Sequence, residues 1–184
     1  MKRLFDFAVA AVMLVVLSPV IAIVAVVIKL TSKGPAIFAQ TRVGWHEKPF
    51  KCLKFRTMQV DTPNVASHQA STAWITPVGR FLRKSKLDEL PQLWNVLLGE
   101  MSLVGPRPCL PTQEELVAAR RRLDVFSVRP GITGSAQLAG LDMSEPQRLA
   151  VADRQYVDER SFAGDIGILF NTALGKGSGD AAGR

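Results

Sequence analysis

Near its N-terminus the chain carries 22 consecutive uncharged residues, Phe7 to Ile28, which read FAVAAVMLVVLSPVIAIVAVVI. About 20 apolar residues in a helix are enough to cross the hydrocarbon core of a bilayer. A cleavable signal peptide has a shorter apolar region, roughly 7–15 residues, followed by small residues at its cleavage site. The sequence that follows this run, Lys29-Leu30-Thr31-Ser32-Lys33, is a poor cleavage site. We therefore expect residues 1–33 to form a retained membrane segment.

Ser18 and Pro19 lie in the middle of this run and predict a break there. Proline lacks the backbone N–H and clashes with the carbonyl four residues earlier, that of Val15, so a kink is expected. A kinked spanning helix is one interpretation, because neighbouring groups can satisfy the freed carbonyl. The flanks favour a re-entrant hairpin, because basic residues at both ends draw both ends to the cytoplasmic face: Lys2, Arg3, Lys29 and Lys33.

The basic charge of the chain is concentrated beside this apolar run. Residues 1–60 hold nine Lys or Arg against two Asp or Glu, and the rest of the 184-residue chain holds fourteen of each. A basic and apolar N-terminal third indicates an anionic membrane surface rather than nucleic acid. The run Arg120-Arg121-Arg122 is short and is expected to form a solvated helix face, so no nucleic-acid partner is expected.

The cysteine and histidine content limits which metals the chain could hold. Cys52 and Cys109 lack a CxxC partner, and the two histidines are His46 and His68. The sequence therefore predicts neither a disulfide framework nor a zinc site. A metal would be a hard cation held by carboxylate and phosphate oxygens, with Mg²⁺ as the leading candidate.

Residues 34–174 predict a single α+β domain that is mostly α. Short apolar stretches between basic residues predict strands or loops over residues 34–60, and the polar residues 61–76 predict a loop. Apolar residues spaced by three and four from Leu87 to Met101 predict an amphipathic helix. This helix should start near Asp88 to Pro91, because proline is accepted in a first helical turn.

The C-terminal half contains further signals for helix starts and turns. Thr112 with Glu115 and Ser144 with Gln147 match the capping-box pattern, which predicts a helix start at each. The glycine-rich stretch Pro130 to Gly134 predicts a turn between these helices. Residues 175–184 are rich in glycine and predict a disordered tail.

Asp88 and Glu89 are adjacent carboxylates at the predicted positive end of a helix. Acidic residues favour a first helical turn for electrostatic reasons alone, and this interpretation needs no function. Successive helical residues point about 100° apart, so the pair cannot flank one scissile bond as glycosidase carboxylates do. Separate roles suit them better, one as nucleophile or metal ligand and the other as base or positioning group.

Gly105-Pro106-Arg107-Pro108 holds an arginine between two prolines, which restrict the backbone on either side. A preorganised guanidinium suits bidentate hydrogen bonds to phosphate. A solvated turn with a surface arginine is the alternative. Further cations near the two carboxylates in the sequence raise the case for an anionic substrate: Lys54, Arg56, Arg80 and Arg83. Carboxylates and cations beside a membrane segment suit Mg²⁺-dependent phosphoryl transfer to a lipid-linked partner.

Taken together, the motifs of the chain resemble those of the monotopic phosphoglycosyl transferases, also called bacterial sugar transferases. The resemblance covers nearly the whole chain and includes Lys2-Arg3-Leu4-Phe5-Asp6, Ser18-Pro19, Lys54-Phe55-Arg56-Thr57-Met58, Leu87-Asp88-Glu89-Leu90-Pro91-Gln92, Gly99 to Pro108 and Pro130 to Gly134. It implies a small α-rich domain with interfacial amphipathic helices, a re-entrant membrane helix, and a form without the extra N-terminal helices of larger members.

The resemblance also implies a reaction. The family transfers a sugar 1-phosphate from a UDP-sugar to polyprenyl (undecaprenyl) phosphate, which releases UMP and begins the assembly of a membrane glycan. By that resemblance Asp88 is the nucleophile, forms an aspartyl-phosphosugar intermediate and helps to hold Mg²⁺. Glu89 resembles the family residue that positions or deprotonates the acceptor phosphate. The other matched residues are cations that face phosphate or nucleotide: Lys54, Arg83, Arg107 and Arg129.

The implied setting is the cytoplasmic face of the bacterial inner membrane, where a soluble UDP-sugar meets a lipid-borne acceptor. A membrane-anchored adaptor that binds anionic lipid or a partner protein, without catalysis, is the alternative function. The identity of the sugar and the oligomeric state, a homo-oligomer included, stay open.

Overall fold

Two helices, α1 (Lys2–Val16) and α2 (Ser18–Thr31), form the N-terminal segment of the computed structural model, which describes residues 1–62 and 71–175. The helices are bent by 61° at a break that consists of Leu17. Pro19 lies in the first turn of α2, where its missing N–H costs no hydrogen bond. The Ser18 hydroxyl donates to the carbonyl of Val15 at 2.8 Å. The predicted break at Ser18 and Pro19 is confirmed.

The helix pair exposes much apolar surface. Among the described residues no single helix is long and apolar enough to cross a membrane, whereas α1 and α2 together meet these criteria as a bent pair. Burial is confined to a few positions, including Ala10 in α1 and Ile28 in α2, which face the rest of the protein. The opposite faces expose large apolar side chains, among them Leu4, Val12, Val15, Val16, Ile23, Val26 and Leu30.

Residues 34–60, for which the sequence predicts strands or loops, contain two strands that form a hairpin. Strand β1 (Ile37–Val43) pairs antiparallel with β2 (Pro49–Phe55), and Ile37 lies opposite Phe55. A 3₁₀ turn at Trp45–Glu47 connects them. In the predicted loop over residues 61–76, residues 63–70 lie outside the described part, while Thr72–Trp74 forms a 3₁₀ turn.

A second, parallel pair of strands corrects the turn predicted at Pro130 to Gly134. Strand β3 (Ser102–Val104) pairs with β4 (Gly131–Thr133). Gly131 makes this pairing possible, because a Cβ there would lie 2.1 Å from the backbone nitrogen of Gly105. The glycine therefore serves a close approach of two backbones rather than a turn.

Six further helices complete the described fold: α3 (Pro77–Lys84), α4 (Gln92–Leu98), α5 (Glu114–Arg122), α6 (Ser135–Leu138), α7 (Pro146–Glu159) and α8 (Phe162–Ala173). The helix predicted to reach Met101 ends earlier, because Gly99 takes a left-handed conformation with φ of 82°. The first turn of the predicted helix is instead a 3₁₀ turn at Leu87–Glu89, which is separate from α4.

The helices predicted after Thr112 and Ser144 are α5 and α7, but the predicted capping boxes are wrong. The N-cap residues are Gln113 and Glu145, and neither forms a side-chain cap hydrogen bond. Ser144 instead hydrogen-bonds to the side chain of Asp142 two residues earlier, through its backbone nitrogen at 2.8 Å and through its hydroxyl. This local Asx turn competes with the capping arrangement. The predicted tail, beyond Gly175, lies outside the described residues.

The N-terminal helices pack directly on the rest of the protein. Ala10 of α1 belongs to one apolar cluster with Leu93 of α4 and Leu103 of β3. Ile28 of α2 belongs to another with Leu82 of α3. Since the 3₁₀ turn at Leu87–Glu89 lies between α3 and α4, these contacts place it beside both N-terminal helices.

A buried polar network fastens α1 to α7, α8 and β3. Lys2 lies 2.7 Å from Asp165, which in turn accepts a hydrogen bond from the Tyr156 hydroxyl at 2.9 Å. Ser102 donates a hydrogen bond to Asp6 at 2.8 Å, and the carboxylates of Asp6 and Asp165 are almost fully buried. Burial and the neighbouring Asp165 raise the pKa of Tyr156, so the phenol stays protonated and serves as a donor.

Candidate active site

Asp88 and Glu89 lie on the 3₁₀ turn Leu87–Glu89, which connects α3 to α4. Lys86 precedes the turn in a left-handed conformation with φ of 57°, which separates the turn from α3. Asp88 is only 3% exposed. The dyad therefore precedes α4 rather than forming part of its first turn, and Asp88 lies largely out of water.

Glu89 brings together two of the predicted cations. Its Oε1 accepts a hydrogen bond from Arg107 at 2.8 Å and another from Lys54 at 3.2 Å. All three side chains are at most 18% exposed. Lys54 comes from β2 and Arg107 from the loop after β3, so residues 35 and 18 positions away from Glu89 converge on one carboxylate. Both cations can make charge-assisted hydrogen bonds to phosphate oxygens, which makes this a candidate position for an anionic ligand.

Arg83 and Arg56 lie near the end of β2. Arg83, in the last turn of α3, donates from Nε to the Thr57 hydroxyl at 2.9 Å. Arg56 packs over Gly34, where a Cβ would lie 2.4 Å from the guanidinium nitrogen Nη1. That nitrogen is buried without a hydrogen-bond partner. A role for Arg56 in phosphate binding stays a prediction.

Arg129 lies at the other end of α4 from the dyad. Its Nε donates to the carbonyl of Gly99 at 2.8 Å, and its guanidinium lies 4.0 Å from the centre of the Trp45 ring. Arg3 donates to the nearby carbonyls of Val96 and Leu97 at 2.6 and 3.0 Å. Burial, with a smaller contribution from Arg3, lowers the pKa of Arg129. These contacts cap the C-terminus of α4, and a role for Arg129 near a nucleotide stays a prediction.

Two buried arginines that the sequence did not single out for the site hold the Arg107 loop. Arg120 donates to the carbonyl of Arg107 at 2.8 Å, and Arg42 donates to the carbonyl of Pro108 at 3.0 Å. Arg120 also binds Asp153 at 2.6 and 2.9 Å. Burial acts to lower the pKa of Arg120, but the neighbouring Asp153 and Cys109 together raise it. Both loop carbonyls are thus held by charged donors, which orients the Arg107 side chain.

The expectation of a solvated Arg120-Arg121-Arg122 face is therefore wrong for Arg120, which is 1% exposed. A signal in the sequence could have shown this. Leu116 precedes Arg120 by four residues, so both lie on one helix face, and Leu116 is buried too. Arg121 does lie at the surface, where it pairs with Glu47 and, through that hydrogen bond, lowers the pKa of this carboxyl.

The side chains available as metal ligands limit the kind of Mg²⁺ site that the chain can form. The described residues contain no group of three or more His, Cys, Asp or Glu side chains that could hold a metal ion. A protein cage for the metal is therefore not formed by these residues. Mg²⁺ is commonly bound by one or two carboxylates together with substrate phosphates and water. Asp88, beside cations that attract phosphate, fits that second kind of site.

A comparison with known protein families identifies the family of the chain. The family described as "Bacterial sugar transferase" matches residues 1–176. The chain belongs to this family. The family resemblance predicted from the motifs is confirmed, and the match covers both N-terminal helices, the Asp88–Glu89 turn and the Arg107 loop.

Named relatives of this bacterial sugar transferase include longer proteins. A UDP-glucose:undecaprenyl-phosphate glucose-1-phosphate transferase from Caulobacter vibrioides is 42% identical over 181 residues, which cover 93% of this chain and 67% of the relative. A protein of the same name from Escherichia coli K12 is 40% identical over 185 residues, 95% of this chain and 39% of the relative. The uncharacterized sugar transferase EpsL of Bacillus subtilis is 40% identical over 173 residues, 92% of this chain and 83% of the relative.

Proposed function

We propose that this chain transfers a sugar 1-phosphate from a UDP-sugar to polyprenyl phosphate, with undecaprenyl phosphate as the natural acceptor. The observation that carries the proposal is the convergence of Lys54 and Arg107 on Glu89, next to the buried carboxylate of Asp88. The names of the relatives from Caulobacter vibrioides and Escherichia coli support a UDP-sugar donor and this acceptor. The chain spans 67% and 39% of these relatives, so their whole activity is carried over here as a proposal.

Asp88 is the proposed nucleophile. One of its carboxylate oxygens attacks the sugar-linked phosphorus of the donor, and the bond from that phosphorus to the bridging oxygen breaks. UMP leaves with the electron pair, and a phosphosugar remains on Asp88. A phosphate oxygen of the acceptor then attacks the same phosphorus, which restores the Asp88 carboxylate and gives a polyprenyl-diphosphate sugar. Covalent catalysis of this kind replaces one direct reaction between two anions with two separate displacement steps.

The cations lower the repulsion that opposes both steps. The donor diphosphate and the acceptor phosphate are anionic, and each must approach a carboxylate. Arg107 offers a planar guanidinium fork and Lys54 a compact ammonium group, and both already lie within 3.2 Å of a carboxylate oxygen of the dyad. Glu89 holds these cations in place and is the proposed group that positions or deprotonates the acceptor. Burial of Asp88 limits hydrolysis of the phosphosugar by water.

Asp88 is also the proposed protein ligand of Mg²⁺, together with oxygens of the donor diphosphate. When bound, the ion would neutralise charge on the transferring phosphoryl group and on the departing UMP.

The bent helix pair is the proposed re-entrant membrane anchor. Its exposed apolar faces suit a bilayer, and the basic residues at both ends suit one membrane face. Helix α8 adds a second apolar stripe, because four exposed side chains recur at every fourth residue: Phe162, Ile166, Phe170 and Leu174. Such a stripe suits a helix that lies at the membrane interface. We place the site at the cytoplasmic face of the bacterial inner membrane, where donor and acceptor meet.

The test is UMP release by the full chain in lipid nanodiscs with Mg²⁺, polyprenyl phosphate and a panel of UDP-sugars. We expect release with at least one sugar, and loss of release in Asp88→Asn. The matched control is Asp158→Asn, because Asp158 is a surface carboxylate paired with Arg154. Folded protein that releases no UMP with any sugar would overturn the proposal and favour a non-catalytic membrane adaptor.

A further inference from the structure

A cavity of about 390 Å³ adjoins the dyad. Its walls come from α1, α4, β3, β4, α6, α8 and the turn that carries Glu89, and their apolar side chains include Val9, Leu93, Leu103, Ile132 and Leu169. This volume is within the usual range for small-molecule sites in proteins. The lining also includes the polar side chains of Thr133, Gln137 and Thr172, but apolar side chains dominate it. A mainly apolar occupant therefore fits better than a sugar or a nucleotide, whose hydroxyl and amide groups would lose hydrogen bonds to water.

Two charged residues line the cavity beside its apolar side chains. They are Glu89 and Lys86, and Lys86 precedes the dyad turn. The Glu89 carboxylate also binds Lys54 and Arg107, so this part of the lining adjoins the site proposed for phosphate chemistry. A ligand that fits both the charged and the apolar lining has an anionic head and an apolar chain.

Another part of the lining belongs to α8. Leu169 and Ala173 line the cavity, and Ala173 is exposed. The neighbouring face of the same helix carries the exposed stripe that includes Ile166 and Phe170. A chain that fills the cavity can therefore leave it at the surface that we assign to the membrane interface.

We propose that this cavity binds the isoprene units of the polyprenyl phosphate acceptor that are nearest its phosphate. The inference rests on the proposed function. Covalent geometry supports it, because the first isoprene unit is bonded to the reacting phosphate and must lie within a few ångströms of the dyad. The cavity is an apolar space that reaches Glu89, and a phospholipid in the same position would place its own phosphate where the acceptor must react.

The test separates the two half-reactions in nanodiscs. Exchange of labelled UMP into UDP-sugar without acceptor reports the first step, and the KM for prenyl phosphates of increasing chain length reports acceptor binding. Leu169→Trp fills the cavity, and Ala173→Trp obstructs it at an exposed position. The matched control is Ile166→Trp, on the same helix but outside the lining.

We expect both cavity variants to exchange UMP within about twofold of the parent rate, while the acceptor KM rises at least about tenfold and depends less on chain length. Ile166→Trp should change neither quantity. Unchanged acceptor KM in both cavity variants, with exchange intact, would overturn this inference alone. If Leu169→Trp does not fold, Ala173→Trp decides by the same criterion. Failure of the parent protein to exchange UMP would instead overturn the proposed function.

A photoreactive prenyl phosphate identifies the occupant. We expect it to label the β4 and α8 peptides that contain Ile132 and Leu169, and unlabelled farnesyl phosphate should compete. Labelling that excess phosphatidylglycerol suppresses and farnesyl phosphate does not would assign the cavity to bilayer lipid and overturn the inference.

Discussion

Arg107 donates a hydrogen bond to Glu89 Oε1 at 2.8 Å, and the same oxygen accepts a hydrogen bond from the Lys54 ammonium group at 3.2 Å. One carboxylate therefore fixes two cations from separate parts of the chain. Arg120 and Arg42 donate hydrogen bonds to the backbone carbonyls of Arg107 and Pro108. The guanidinium is thus oriented through both its side chain and its backbone before any substrate binds.

Replacement of Arg107 by lysine tests whether the guanidinium fork matters beyond its charge. Arg107→Lys keeps the charge but loses bidentate geometry, so we expect kcat/KM for the UDP-sugar to fall by about 10²-fold. Steady-state UMP release measures this. Arg148→Lys, at an exposed arginine, is the matched control. Equal rates for Arg107→Lys and the parent would contradict an orienting role for the loop.

The buried Arg120–Asp153 pair separates stability from positioning. Asp153→Asn leaves a buried guanidinium without its counter-charge, and we expect a loss of about 3–5 kcal/mol in the free energy of unfolding. Denaturant titration measures it. The double variant Arg120→Met with Asp153→Leu should recover much of that stability, since apolar pairs of similar volume often replace buried ion pairs well. UMP release should stay low, because the Arg107 carbonyl has lost its donor. Full activity in a stable double variant would refute the positioning role.

The break at Leu17 predicts the topology of the N-terminal helices. Pro19→Ala restores a backbone N–H and removes the clash, so we expect α1 and α2 to approach one continuous helix. A cysteine in Lys33→Cys should then become accessible from the opposite side of a sealed vesicle, as judged with a membrane-impermeant maleimide. A cysteine added before Met1 marks the other end. Labels on opposite faces in the parent protein itself would exclude the re-entrant hairpin.

Both native cysteines should resist thiol reagents in the folded protein. Cys109 is 0% and Cys52 3% exposed, and burial raises the pKa of the Cys52 thiol. A neutral, buried thiol reacts slowly, so we expect alkylation at pH 8 to be at least about 10²-fold slower than after unfolding. Mass spectrometry over time measures it, and Lys33→Cys is the reactive reference. Rapid modification of Cys52 without unfolding would mean that β2 opens readily.

The features predicted from the sequence are mainly local. The break at Pro19 depends on neighbours along the chain and is confirmed. Strands or loops were predicted over residues 34–60, and the structure forms strands there that pair as a hairpin. Motif spacing also selected Lys54 and Arg107, which the fold brings to Glu89.

The features that were missed depend on contacts between distant segments. Pairing of β3 with β4 requires the backbone at Gly131 to approach Gly105, which composition alone interprets as a turn. Burial of Arg120 depends on its ion pair with Asp153, 33 residues away, so the run of three arginines was predicted to form a solvated helix face. The apolar cavity beside the dyad is formed by residues from helices, strands and a turn that lie far apart in the chain, and it leaves no pattern in any one of them.

The most direct test of the central claim is detection of the covalent intermediate. The full chain in nanodiscs is incubated with Mg²⁺ and its active UDP-sugar without acceptor, then quenched in acid and digested for mass spectrometry. We predict a phosphosugar on the peptide that contains Asp88, lost when polyprenyl phosphate is added before the quench, and absent from Asp88→Asn. Product formation by Asp88→Asn at the parent rate, or an adduct on another residue, would contradict Asp88 as the nucleophile.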